Sequence, residues 1–125
     1  MAVLPGVPAS VRSARTLTRE VLGAGHPAVD AAALCVSELV ANAIAYSRSG
    51  LPGGTLALTV RARPGHVLIR VRDAGSRTAP ALARQDPGAE HGYGLRIVIA
   101  LAAEWGTAAT ARGRATWCRL EGSPS

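Results

Sequence analysis

Residues 28–47 set the strongest constraint on how this chain can fold. Val29, Ala33, Val36, Val40 and Ile44 recur at helical spacing, and the positions between them are apolar nearly all the way round. A helix with no broad polar face belongs in a domain core, so the rest of the chain has to cover it. Two residues interrupt the run, Glu38 and Asn42. Four residues apart, they share one helical face about 6 Å apart along the axis. A lone carboxylate and a lone amide on such a helix point toward a pocket rather than open water.

The remaining elements supply that cover. Val11, Ala14, Leu17, Thr18 and Val21 predict a first helix over 10–22, with Ser10 as its N-cap and Gly23 as its stop. Arg12, Arg15 and Arg19 fall on its other side, either as a solvated face or as a docking surface for an acidic partner. After a Ser/Gly/Pro loop, residues 55–63 and 66–72 alternate apolar and polar on either side of Pro64-Gly65, which predicts a hairpin. Asp73 continues the phase of Val67, Ile69 and Val71, so extending the strand puts its carboxylate on the covered face, where it needs a partner. The alternative is a strand-end carboxylate turned to solvent. Residues 74–91, with Gly75, Pro80, Pro87 and Gly88, have no secure periodicity and the length of a lid or binding loop. Leu95, Val98, Ile99 and Ala102 then predict a third helix over 94–104, ending near Trp105-Gly106. Residues 107–112 and 115–120 form a second hairpin across Gly113. The expected fold class is α/β in the broad sense, an α+β two-layer sandwich: three helices on one face of a mostly antiparallel mixed sheet.

At 125 residues the chain is expected to form one domain over 1–125, with short flexible ends at about 1–8 and 121–125. Apolar residues make up 48%, without a single Phe, so the core is aliphatic and disorder is excluded for most of the chain. The net charge of +6 comes from 14 basic residues, all arginine. They are scattered, and aromatics are only 3%, so the stacking platforms of single-strand binders are missing and no direct nucleic-acid contact is expected. Cys35 and Cys118 lack metal-ligand spacing and read as reduced core thiols. With no apolar run of spanning length and no signal-like start, the reading is a cytoplasmic protein without membrane contact.

Gly92 and Gly94 at a helix start let backbone N–H groups approach an anion, and the helix dipole favours phosphate there. The order of motifs is more specific than any one of them. A Glu-x-x-x-Asn helix, a strand ending Asp-x-Gly, a long lid, a Gly-x-Gly helix start and a closing hairpin together resemble the GHKL ATPases, the superfamily of gyrase, MutL and histidine kinases, over about residues 8–120. Residues 38–43 (Glu-Leu-Val-Ala-Asn-Ala) resemble the N box, Asp73-Ala74-Gly75 the first glycine box, Gly92-Tyr93-Gly94-Leu95 the second, and residues 113–116 the final strand-pair motif. The small size, the run over 36–43 followed by Ser47, and Gly94-Leu95-Arg96-Ile97-Val98 leading to Trp105-Gly106 look most like the anti-sigma factor serine/threonine-protein kinase branch.

The resemblance implies a Bergerat-type fold, ATP or ADP as ligand, and Mg²⁺ held by Asn42. Glu38 is implied as the catalytic base and Asp73 as acceptor for the adenine amine. Gly75 lets the chain pass close to the base. Gly92, Tyr93, Gly94 and Leu95 belong to the phosphate-binding turn, and Thr116 closes the adenine end through a water. The implied partners are a sigma factor and an anti-anti-sigma protein that is phosphorylated on serine, with a homodimer surface also in keeping. The alternative is an ATP-gated module that sequesters its partner without appreciable kinase activity. The chain departs from the family pattern at Ser76-Arg77, where a second glycine is usual, and at Tyr93, where relatives often carry Arg. His91 is either a phosphate donor or an ordinary lid residue.

Overall fold

A computed structural model describes residues 1–75 and 92–122, with side chains from residue 96 onward in the second segment. In chain order these form β1 (Ala2–Pro5), α1 (Ala9–Leu22), α2 (Val29–Tyr46), a single 3-10 turn (Arg48–Gly50), β2 (Thr55–Arg63), β3 (His66–Asp73), α3 (Gly92–Leu101), β4 (Glu104–Thr110) and β5 (Gly113–Glu121). The five strands make one sheet in the order β1-β2-β3-β5-β4, and every described pairing is antiparallel, with no parallel pair to make it mixed. Of the stretch 74–91 read as a lid or binding loop, residues 76–91, His91 among them, lie outside the described residues.

One face of the sheet is covered. Val67, Ile69, Val71 and Asp73 are buried, whereas Leu68, Arg70 and Arg72 between them are half-buried or exposed. The inward residues of β3 sit opposite Leu120, Cys118, Thr116 and Arg114 of β5 and share their face. Against this face lies α2, whose Cys35, Val36, Leu39, Val40 and Ala43 join the core with Leu56, Leu58 and Val98. Small residues let the helices approach closely: Ala14 of α1 and Ala32 of α2 are fully buried. By length and composition α2 could cross a bilayer, but half of it is buried inside the domain, where it serves as the core helix. Buried Thr18 and Ser37 return their hydroxyls to the carbonyls of Ala14 and Ala33 at 2.8 Å each, so they need no outside partner.

The two cysteines are free and buried. They face each other from α2 and β5. The hydrogen bond from Cys118 holds the Cys35 thiol below its ordinary range, against burial and the nearby Glu38 charge. The same bond, together with burial, pushes Cys118 up.

Three local expectations are corrected. Residues 2–5, read as part of a flexible end, form the edge strand β1, paired from Ala2↔Leu58 to Pro5↔Thr55 and followed by a Gly6 N–H bond to the Gly54 carbonyl at 2.9 Å. Four residues are too few to show a period, and Leu4 finds its place only once the core exists. Ser10 is not an N-cap: α1 begins at Ala9 after Pro8, and Ser10 Oγ donates instead to the Pro5 carbonyl at 2.6 Å, tying helix to strand. Finally, α3 ends at Leu101, and Ala103 N–H passes to the Arg119 carbonyl at 2.8 Å, starting β4. Glu104 and Trp105 therefore belong to a strand. Gly106 lies opposite Trp117, and a side chain there would press on the indole ring.

Candidate functional site

The end of β3 is built to hold one carboxylate in one position. Asp73 completes the inward phase of its strand, and its side chain is only 4% exposed. Its Oδ1 accepts the Gly75 N–H at 2.7 Å, a two-residue loop closed by the carboxylate itself. Gly75 has a φ of +91°, a conformation that residues with a Cβ rarely adopt. On the next strand Gly113 passes so close that an added Cβ would overlap the Asp73 carbonyl and come within 2.7 Å of the Ala74 and Gly75 backbone. Arg114, cross-strand partner of Asp73, brings its Nη2 to 3.6 Å from Asp73 Oδ2.

A second set of bonds fastens this turn to the end of α2. Ser47 and Ser49 are fully buried. Ser47 Oγ donates to the Ala43 carbonyl at 2.6 Å and accepts the Ser49 N–H at 3.0 Å. Ser49 Oγ accepts the Ala74 N–H at 2.9 Å, and Arg48 N–H donates to the Gly75 carbonyl at 2.8 Å. Gly6 and Gly54 crowd the Ser49 carbonyl so closely that a Cβ at either would overlap it. Sequence reasoning missed this latch. Its one visible signal is serine alternating with other residues in a glycine-flanked loop, which reads equally well as an ordinary linker.

Glu38 and Asn42 stand on α2 one turn apart, each half-buried. They lie on the line of the helix that also carries exposed Leu34, away from the fully buried Val36 and Val40. Neither has a hydrogen bond or an ion pair among the described residues. With a rise of about 1.5 Å per residue, Asn42 sits roughly 7 Å along the axis from Ser47, where the helix is fastened to the Asp73 turn. The amide oxygen of Asn42 is a suitable single protein ligand for Mg²⁺, an ion that takes oxygen ligands and usually keeps waters and substrate phosphates as the rest of its shell. Half-burial with unspent polar atoms is the arrangement such a group requires.

Thr116 follows Arg114 on the same inward face of β5, opposite Val71, and is half-buried. Its Oγ1 lies 3.5 Å from Thr107 Oγ1, which donates to the Ala115 carbonyl at 3.2 Å. Gly92, Tyr93, Gly94 and Leu95 form the first turn of α3, and their side chains lie outside the described residues. Backbone N–H groups of such a first turn have no intrahelical acceptor and are free for an anion.

Residues 4–120 match the family model of the histidine kinase-like ATPase domain. The chain belongs to that family. No curated protein matches it significantly. Membership accounts for the architecture, an antiparallel sheet with helices on one face, and supports ATP as ligand and a regulatory role.

Proposed function

We propose that this histidine kinase-like ATPase domain acts as an anti-sigma factor type regulator of the cytoplasm: it binds ATP with Mg²⁺, sequesters a sigma factor, and phosphorylates a serine on an anti-anti-sigma protein. The observation that carries the reading is the Glu38–Asn42 stripe. It is one carboxylate and one neutral oxygen ligand, both unspent, on a core helix whose end is fastened to the Asp73 turn. Phosphoryl transfer asks for positioning and charge neutralisation more than for covalent help from the protein.

In this reading Asp73 Oδ2 accepts the adenine amine, while the first turn of α3 and Asn42 hold the phosphate end. Asn42 would hold Mg²⁺, which would supply charge neutralisation for the transfer. Glu38 accepts the proton of the partner's serine hydroxyl as its oxygen bonds to the γ-phosphorus and the bond from that phosphorus to the β–γ bridging oxygen breaks, releasing ADP. On α1, Arg12 and Arg15 are exposed, while Arg19 is drawn to Asp30 at 3.0 Å. The first two are therefore the arginines left to steer an acidic partner.

Transfer of labelled γ-phosphate to candidate anti-anti-sigma proteins tests the proposal. Glu38→Ala should retain ATP binding and lose transfer by about 10²–10⁴-fold, the range of a general base. Asn42→Ala should lower both. The departures at Ser76-Arg77 and Tyr93 favour a second reading, an ATP-gated module that sequesters its partner without transfer. ATP-dependent capture with no transfer by the parent chain selects that reading, and equal transfer by parent and Glu38→Ala removes Glu38 from the chemistry.

A further inference from the structure

The Asp73–Arg114 pair is incomplete on both sides. Asp73 spends Oδ1 on the Gly75 N–H, but Oδ2 accepts no hydrogen bond among the described residues. The 3.6 Å separation from Arg114 Nη2 is an electrostatic contact, longer than a formed N–H···O bond. On Arg114 itself, Nε is buried without a partner among the described residues, although the side chain as a whole is 37% exposed. Buried donors are nearly always satisfied in folded proteins, so an orphan beside a carboxylate oxygen that also lacks a hydrogen bond calls for a partner. An open acceptor on one residue and an open donor on its cross-strand neighbour lie side by side on one face. Their complement is a flat group with a donor next to an acceptor.

Resting on the nucleotide reading above, we infer that Arg114 reads the base directly: its guanidinium donates to N1 of adenine while the adjacent amine donates to Asp73 Oδ2. The pairing edge of adenine presents this donor–acceptor pair. Guanine in the same pose sets its O6 against the carboxylate and its N1–H against the guanidinium, so both contacts fail at once. Sites with buried polar groups reject such mismatches strongly, because those groups are left unpaired. Arg114 is thus a specificity-determining residue for adenine, and it contributes a contact that neither Asp73 nor Thr116 supplies. Arg is suited to this place because its charge survives partial burial and its planar fork can hold the carboxylate and the base together.

The test is a set of titrations of the full chain and of Arg114→Met, which keeps the aliphatic stem and removes the donors, with ATP and with 1-deaza-ATP, in which N1 is replaced by C–H. For the parent chain, 1-deaza-ATP should bind about tenfold or more weaker than ATP, the effect of one lost charge-assisted hydrogen bond. Arg114→Met should bind ATP weaker by a similar factor and show no further loss with 1-deaza-ATP. An Arg114 that merely steadies Asp73 would leave the ratio between the two nucleotides unchanged by the substitution, and that result overturns the inference. Tighter ATP binding by Arg114→Met overturns it as well, by making Arg114 a competitor for the carboxylate. A parent chain that binds neither nucleotide removes the nucleotide reading itself and this inference with it. Thermal unfolding of both chains confirms that the same folded domain is compared.

Discussion

The Asp73 turn and the Glu38–Asn42 face of α2 are built on opposite principles. Around Asp73 the turn itself is committed, with only Asp73 Oδ2 and Arg114 Nε left over: one carboxylate oxygen goes to Gly75, the Ala74 N–H to Ser49, the Gly75 carbonyl to Arg48, and Ser47 to both Ala43 and Ser49. Glycines at 6, 54 and 113 let three backbone segments close on these bonds. On α2, by contrast, Glu38 and Asn42 are half-buried and spend nothing on the described residues. The first region is held in place by the fold's own hydrogen bonds; the second leaves its polar atoms unpaired among the described residues. A binding site needs both, since a preorganised anchor lowers the ordering cost of binding, whereas chemistry requires groups that become fully satisfied only with substrate in place.

The contrast can be broken most severely at Gly113. Gly113→Ala drives a Cβ into the Asp73 carbonyl, with backbone on both sides and no flexible side chain to yield. It should cost about 3 kcal/mol or more of unfolding free energy, measured by denaturant titration. Next in size is Ser49→Ala, which leaves the Ala74 N–H without its acceptor at a cost of about 1–3 kcal/mol in the same measurement. Smallest is the effect on stability at the α2 face. Glu38→Ala and Asn42→Ala remove no bond within the described residues and should each stay within about 0.5 kcal/mol of the parent. If either of these cost as much as Ser49→Ala, the two regions would not differ in the way described.

What could be read from the sequence follows the same division. The helix over 28–47, the first hairpin and the inward phase of Asp73 come from periodicity, a local signal that needs no knowledge of the fold, and they agree with the structure to within one residue. Glu38 and Asn42 stood out because a polar residue on an apolar helix is visible in one dimension. The latch of Ser47 and Ser49 was not legible, because its partners Ala74 and Gly75 lie more than twenty residues away. Nor was Arg114: β3 and β5 are neighbours in the sheet without being neighbours in sequence, so the Asp73↔Arg114 register exists only after folding. Strand β1 and the early end of α3 failed for a related reason, since a four-residue edge strand and a helix-to-strand handover at Ala103 are decided by partners rather than by local propensity.

The claim on which the rest depends is that the Asp73 turn receives the base of ATP. Calorimetric titration of the parent chain and of Asp73→Asn with ATP and Mg²⁺ tests it directly. The amide keeps an oxygen for the Gly75 N–H, so the turn is retained, but it replaces the open acceptor with a donor facing both the adenine amine and Arg114. Binding by the parent and at least about tenfold weaker binding by Asp73→Asn is the predicted result, given that a hydrogen bond to a charged group is worth about 1.5–3 kcal/mol. Equal affinity in the two chains, with the fold of both intact, would contradict the account.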